Sequence, residues 1–133
     1  MGDLPALPSS PRILIVMAEQ WPRALLRAAL REAGYDAIGT RSLSGALAHP
    51  THAPDRGPVG AIVLDAATID AEPAVASRGA IAELVGRHAA APVVLLASAV
   101  RADPPGHWAR VIRRPFAIED VVRAVEELAE ARP

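Results

Sequence analysis

Short runs of apolar residues alternate along this chain with segments in which apolar residues recur at helical spacing. The runs Arg12–Met17, Val59–Asp65 and Pro92–Ala97 contain few polar residues. Apolar runs of this length predict strands that are buried on both faces, as in a parallel sheet covered by helices. Two further segments, Tyr35–Thr40 and Ala109–Arg113, are predicted to be short strands.

The spacing of apolar residues also predicts helices between most of these strands. The first helix begins near Pro22 and ends at Gly34, because proline fits the first turn of a helix and glycine commonly follows the last one. The second helix spans Ser42–His49, the third ends near His88, and the last spans Ile118–Arg132.

The first and last helices divide clearly into apolar and charged faces. Four residues of the first helix are predicted to face the core: Leu25, Leu26, Ala29 and Leu30. Three arginines at positions i, i+4 and i+8 form a basic stripe on its outer face: Arg23, Arg27 and Arg31. In the last helix, Arg123 and Glu127 are predicted to form an ion pair, because residues four positions apart are neighbours on a helix surface.

Three segments are predicted to be loops. Pro50–Pro58 is rich in proline and glycine, residues 66–73 follow the third strand, and Arg101–His107 contains two prolines and a glycine that exclude a long helix. The order of elements is βαβαβαβ, then a gap, then βα. This order predicts an α/β fold, a three-layer sandwich around a parallel sheet.

Composition narrows the classes of protein to which the chain can belong. The 133 residues include 14 basic and 15 acidic ones, so neither nucleic acid nor a membrane surface is indicated as a partner. The chain has no cysteine, which excludes disulfides. The longest apolar stretch, Ala89–Val100, is too short to cross a bilayer, and no signal peptide precedes it. We expect a cytoplasmic protein with one domain, residues 12–133, after a flexible tail, residues 1–11.

Asp65 is the first candidate for a functional residue, because it ends the apolar run of the third strand. In open α/β sheets, ligands bind in the crevice at the carboxyl ends of the strands. Position alone leaves two readings equally open, a functional carboxylate and a solvated residue that begins a loop.

Four sequence motifs resemble those of the receiver domains of bacterial two-component response regulators. They are I-L-I-V-M-A-E, A-I-V-L-D, P-V-V-L-L-A-S, and R-R-P-F followed by an amphipathic helix. The resemblance covers about residues 12–132. It implies a flavodoxin-like fold with a five-stranded parallel sheet in the order 2-1-3-4-5. It also implies that Asp65 occupies the position that accepts a phosphoryl group from a histidine kinase.

The resemblance fails where the family binds Mg²⁺. The acidic pair that holds this ion at the end of the first strand is replaced by Met17 and Ala18, and Glu19 offers the nearest carboxylate. Mg²⁺ requires oxygen ligands, and phosphoryl transfer depends on the charge that it neutralises. We therefore expect weak or absent Mg²⁺ binding and no other cofactor. Arg114 replaces the family lysine, and we expect it to hold Asp65 in a fixed ion pair with no second carboxylate competing for the guanidinium.

The residues that couple phosphorylation to the output surface also differ. The family hydroxyl at the end of the fourth strand corresponds to Ala97, with Ser98 one residue later, and the switch aromatic in the fifth strand corresponds to Val111. The segment from Ala97 to Arg114 is shorter than in the family. The family's fourth helix, between its fourth and fifth strands, is therefore expected to be shortened or lost.

The same resemblance suggests where a protein partner binds. The stripe of Arg23, Arg27 and Arg31 lies on the helix with which receiver domains contact their kinases, although a solvated helix face explains it equally well. Trp21 and Trp108 are candidate contacts, because aromatic residues are enriched at interfaces. The expected partner is a histidine kinase, a phosphotransfer protein or an effector.

These observations favour a degenerate, non-enzymatic receiver (a pseudo-receiver) that acts through protein contacts. A second hypothesis is a receiver that still accepts phosphate on Asp65, with Glu19 and Arg114 in compensating roles. A third is a flavodoxin-like module that binds a small molecule or nucleotide through Arg114. His49 and His52 are a weak zinc candidate, because no third ligand lies near them except Asp55.

Overall fold

The computed structural model describes residues 10–51 and 55–130. Most of the predicted tail, residues 1–11, lies outside this range. His52 and the predicted end of the last helix at Arg132 lie outside it as well.

In the described residues the strands form one parallel sheet. They are β1 (Arg12–Val16), β2 (Asp36–Thr40), β3 (Val59–Asp65), β4 (Val93–Ala97) and β5 (Arg110–Arg113). Their order across the sheet is β2-β1-β3-β4-β5, which confirms the predicted fold class and strand order. Since all pairs are parallel, the carboxyl ends of the strands meet along one edge of the sheet.

The helices are α1 (Gln20–Glu32), α2 (Leu43–Leu47), α3 (Ala66–Asp70), α4 (Ala74–Arg87) and α5 (Ile118–Glu130). Individual residues explain where two of these helices begin or end. The Ser42 side chain accepts a hydrogen bond from the Gly45 amide and caps α2. Gly34 follows α1 with a φ of 99°, a left-handed conformation that glycine adopts without strain.

The helices cover both faces of the sheet. Alternate residues of β1 point to opposite sides, so that Leu14 and Val16 pack under α2, α3 and α4, whereas Ile13 and Ile15 pack under α1 and α5. Both faces of the central strands are therefore buried, which explains why β3 and β4 read as unbroken apolar runs.

Two predictions about these elements are wrong. Residues 66–70 form the short helix α3 instead of a loop, because Ala66, Thr68 and Ile69 bury their side chains under the sheet. Leu25 does not face the core: it is 54% exposed, because the buried stripe of α1 is centred on Leu26 and Leu30.

The predicted ion pair within α5 is also wrong. Arg123 lies 3.9 Å from Asp120, and Glu127 instead accepts a hydrogen bond from Arg110 at 3.1 Å. Glu127 therefore ties α5 to strand β5, through a contact between residues 17 positions apart in the chain.

Residues 98–109, all of which are described, contain no helix, so the loss of the family's fourth helix is confirmed. The loop is nevertheless held by specific contacts. The Trp108 indole packs against the core and donates a hydrogen bond to the Pro104 carbonyl at 2.9 Å, while Asp103 accepts two hydrogen bonds from Arg113. A Cβ at Gly106 would lie 2.5 Å from the Trp108 ring, so the close approach of the loop requires glycine there.

His88 is buried at the end of α4, and its Nε2 has no hydrogen-bond partner among the described residues. Burial lowers the pKa of His88 below its ordinary value, and the neighbouring cations Arg12 and Arg87, followed by His49, lower it further. Folding therefore favours the neutral form of this imidazole.

This burial makes the stability of the fold depend on pH. The unfolded chain binds a proton on His88 near pH 6.5, whereas the folded chain binds it only at lower pH. We expect the full free energy of unfolding above about pH 6.5 and a decrease as the pH falls from there toward the lowered pKa. Urea denaturation at about pH 7.5 and about pH 5.5 measures the difference.

His88→Gln should reduce this pH dependence of the free energy of unfolding, because the glutamine side chain binds no proton in this pH range. His107→Gln, a change at an exposed histidine, serves as the matched control and should leave it intact. Equal pH dependence in all three proteins would show that His88 is not its source.

Candidate functional site

The candidate site lies at the carboxyl ends of β1, β3 and β5. Asp65 is the last residue of β3 and directly precedes α3, and it is only 2% exposed. Arg114 directly follows β5, and its Nη2 donates a hydrogen bond to Asp65 Oδ1 at 2.9 Å. The predicted ion pair between Asp65 and Arg114 is thus present. The Arg114–Pro115 peptide bond is cis.

Thr68 contacts the second oxygen of the Asp65 carboxylate. Its Oγ1 donates a hydrogen bond to Asp65 Oδ2 at 3.3 Å and accepts one from the Ala18 amide at 2.9 Å. Both oxygens of Asp65 therefore have a partner, and the site is tied to the end of β1. Thr68 was not among the predicted site residues, because residues 66–73 were expected to form a loop. The available signal was a hydroxyl three residues after an aspartate at the start of a helix.

Arg114 also lies near a second carboxylate. Its Nη2 is 3.9 Å from Glu19 Oε1, and the Glu19 side chain is 61% exposed. The expectation that no second carboxylate competes for this cation is wrong, because Glu19 immediately precedes α1 and extends toward the guanidinium. The Arg114 guanidinium carbon additionally lies 5.4 Å from the centre of the Phe116 ring, a favourable cation–π distance.

The residues at this site do not fit Mg²⁺. Met17 and Ala18 supply a buried thioether and a methyl group where the ion needs oxygen. The Asp65 carboxylate is already paired with a guanidinium and a hydroxyl. Within the described residues, no group of three or more histidine or acidic side chains is placed to hold a metal ion.

Two other predicted site residues lie apart from Asp65. The Ser98 hydroxyl accepts hydrogen bonds from the amides of Val100 and Arg101, so it stabilises the turn after β4. It is Thr68 whose hydroxyl contacts Asp65. Val111, at the position of the switch aromatic, is 40% exposed on β5. Helix α5 packs on the Ile112 side of this strand, and the segment before β5 forms no helix to cover the Val111 side.

Helix α1 presents two different surfaces. On the side toward α5, Trp21 is 77% exposed, and it lines an open depression of about 520 Å³ together with Leu25, Phe116 and Ile118. The rim of this depression includes Arg114. We call it the Trp21 depression.

The basic stripe lies on the other side of α1, toward the edge strand β2. Arg27 and Arg31 are exposed, whereas Arg23 is partly buried and donates hydrogen bonds to the carbonyls of Met17 and Ala18 at 3.0 and 3.2 Å. The structure therefore separates the arginine stripe from the Trp21 depression.

Trp108 and His49 lie outside the Asp65 site. Trp108 is partly buried in the loop between β4 and β5, where it contributes to packing, and its role in partner binding stays a prediction. His49 follows α2, and its proposed zinc partner His52 lies outside the described residues.

No known family model matches the chain, and no curated protein matches its sequence. Solved structures, however, share its fold. A CheY-like response regulator receiver domain protein from Methanospirillum hungatei JF-1 superposes with a TM-score of 0.69 at 14% identity, covering 92% of this chain and 95% of that one.

Two further solved structures give the same result. The non-phosphorylated HemR receiver domain from Leptospira biflexa has a TM-score of 0.68 at 19% identity, over 93% of this chain and 98% of that one. A protein described as adenylate cyclase from Rhodopirellula baltica has a TM-score of 0.69 at 18% identity, over 91% and 88%. The fold of this chain is that of a response-regulator receiver domain.

The contacts of Asp65 predict that Arg114 matters more to stability than an ordinary surface cation. Removing the guanidinium in Arg114→Ala leaves a buried carboxylate with Thr68 as its remaining partner. We expect a loss of about 2 kcal/mol in the free energy of unfolding, measured by urea denaturation. Arg110→Ala, which breaks the exposed pair with Glu127, is the matched control and should cost less than about 1 kcal/mol.

The double variant Arg114→Ala/Asp65→Asn isolates the cause. Because asparagine carries no charge, part of the lost stability should return in this protein. A double variant that is no more stable than Arg114→Ala would contradict the account of an uncompensated buried charge.

Proposed function

We propose that this chain is a pseudo-receiver of two-component signalling, in which Asp65 has a structural role and signals pass through protein contacts. The receiver fold supports a role in two-component signalling. The observation that carries the finer proposal is the engagement of both Asp65 oxygens, one by Arg114 and one by Thr68.

Both contacts oppose phosphorylation of Asp65. Attack on a phosphodonor requires a carboxylate oxygen that is accessible to it, and Asp65 is almost fully buried. The reaction also needs cations that neutralise the transferring phosphoryl group. Arg114 is the cation that contacts Asp65, and it is already paired with the carboxylate that would act as the nucleophile.

A receiver that still accepts phosphate remains the second candidate, because Glu19 lies within 3.9 Å of Arg114. Glu19 would then attract the guanidinium away from Asp65 and free one carboxylate oxygen. The third hypothesis, a small-molecule site at Arg114, is less favoured. An anionic ligand would need the Arg114 guanidinium, and this group is already paired with the buried Asp65 carboxylate.

The Trp21 depression is the surface that we propose for a protein partner, such as a histidine kinase, a phosphotransfer protein or an effector. It combines a largely exposed tryptophan with Leu25 and Phe116, and buried aromatic anchors supply much of the energy of protein interfaces. Its edge reaches Arg114, so the depression adjoins the Asp65 site. No described helix is long and apolar enough to cross a membrane.

A binding screen tests this proposal. The protein is titrated by biolayer interferometry against the purified kinase dimerisation domains and phosphotransfer proteins of its source organism. We expect at least one partner whose affinity falls about tenfold or more in Trp21→Ser, while Asp65→Asn changes it little. Val75→Ser removes an exposed valine of α4, which does not line the depression, and is the matched control.

Equal losses in the Trp21 and valine variants would exclude the depression as the docking surface. A complete lack of binding to the panel would contradict the signalling role that we propose.

A further inference from the structure

A second concave surface lies on the opposite side of α1 from the Trp21 depression. It is a groove of about 600 Å³ between α1, strand β2 and the residues His49 and Arg56. Its charged lining comes from separate parts of the chain and consists of Arg23, Arg27, Arg31, His49 and Arg56. We call it the arginine groove.

The charges of this groove are poorly balanced. Among the described residues, Asp36 is the carboxylate that pairs there, and it accepts two hydrogen bonds from Arg56 at 2.7 and 2.8 Å. Among the described residues, Asp36 pairs with Arg56 and not with Arg27 or Arg31, although Arg31 is near enough to help lower the pKa of Asp36. The whole chain has a net charge of −1, so this concentration of cations is local and does not reflect its composition.

The walls of the groove are held in place by contacts within the fold. A Cβ at Gly39 would lie 3.0 Å from Arg23 Cγ, so glycine allows the Arg23 stem to lie against β2. The Arg23 guanidinium is fixed on the Met17 and Ala18 carbonyls, and Arg56 is fixed on Asp36. Arg27 and Arg31 remain free to reach a ligand between these walls.

We propose that the arginine groove binds a small anion with several phosphate groups, and that Arg27 and Arg31 make its main contacts. Guanidinium groups bind phosphate oxygens through paired hydrogen bonds. From Arg27 to Arg31 the helix rises about 6 Å, which matches the spacing of phosphate groups along a short chain better than a single phosphate. The groove volume is within the range of small-molecule sites.

The lining also indicates which part of the ligand is recognised. The described lining contains no tryptophan, tyrosine or phenylalanine on which a nucleotide base would stack. Recognition should therefore depend on the phosphate chain and not on an attached base. This inference is independent of the proposed role of Asp65, because the groove and the Asp65 site lie on different sides of α1.

Isothermal titration with sodium tripolyphosphate tests the proposal on the full chain. We expect saturable binding of one equivalent, with ATP and GTP binding at similar strength and inorganic phosphate at least about tenfold more weakly. Arg27→Gln/Arg31→Gln should reduce the tripolyphosphate affinity about tenfold or more. Both residues are exposed, so the variant should keep its fold.

The matched control is Arg78→Gln/Arg123→Gln, which removes the same charge from exposed positions of α4 and α5. It should change the affinity less than about twofold. Equal losses in the two double variants would show non-specific attraction and overturn the proposal. So would tighter binding of a decaglutamate peptide than of tripolyphosphate, since the groove would then favour an acidic protein partner.

Discussion

The carboxylate of Asp65 is the constraint on which the functional edge of this fold depends. A charged group that is 2% exposed cannot rely on water, so the protein must supply its partners. Arg114 supplies the opposite charge and Thr68 supplies a hydroxyl that also holds the Ala18 amide. Through these contacts one side chain joins the carboxyl ends of β1, β3 and β5. Asp65 is at the phosphoacceptor position that the receiver resemblance implies, and its contacts also connect these three strand ends.

This arrangement gives a consistent account of the other departures from the receiver pattern. A guanidinium occupies the space beside Asp65, and Met17 and Ala18 offer no ligands for Mg²⁺. Val111 is exposed, and the segment between β4 and β5 packs through Trp108 instead of forming a helix. In the pseudo-receiver that we propose, the output surface would not respond to phosphorylation and would need none of these features. Helix α1 presents two separate surfaces, one largely apolar and one basic.

Much of the fold could be predicted from sequence, because unbroken apolar runs identify buried strands and the prolines of residues 101–107 exclude a helix. Contacts between residues that are far apart in the sequence could not be predicted in this way. The pairing of Glu127 with Arg110 depends on how α5 lies over β5, and helical spacing favoured Arg123 instead. The five residues of α3 are too few to show a period, so Thr68 was missed. Leu25 and Leu26 look alike in a periodic pattern, although the structure buries Leu26 and exposes Leu25.

We propose that the ion pair with Arg114 keeps Asp65 from accepting phosphate. The most direct measurement is intact-mass spectrometry of the protein after incubation with acetyl phosphate and Mg²⁺, with Asp65→Asn as the blank. The account predicts that the mass of the protein is unchanged by the incubation. Stoichiometric addition of one phosphoryl group to the protein, and none to Asp65→Asn, would contradict it and establish a working phosphoacceptor.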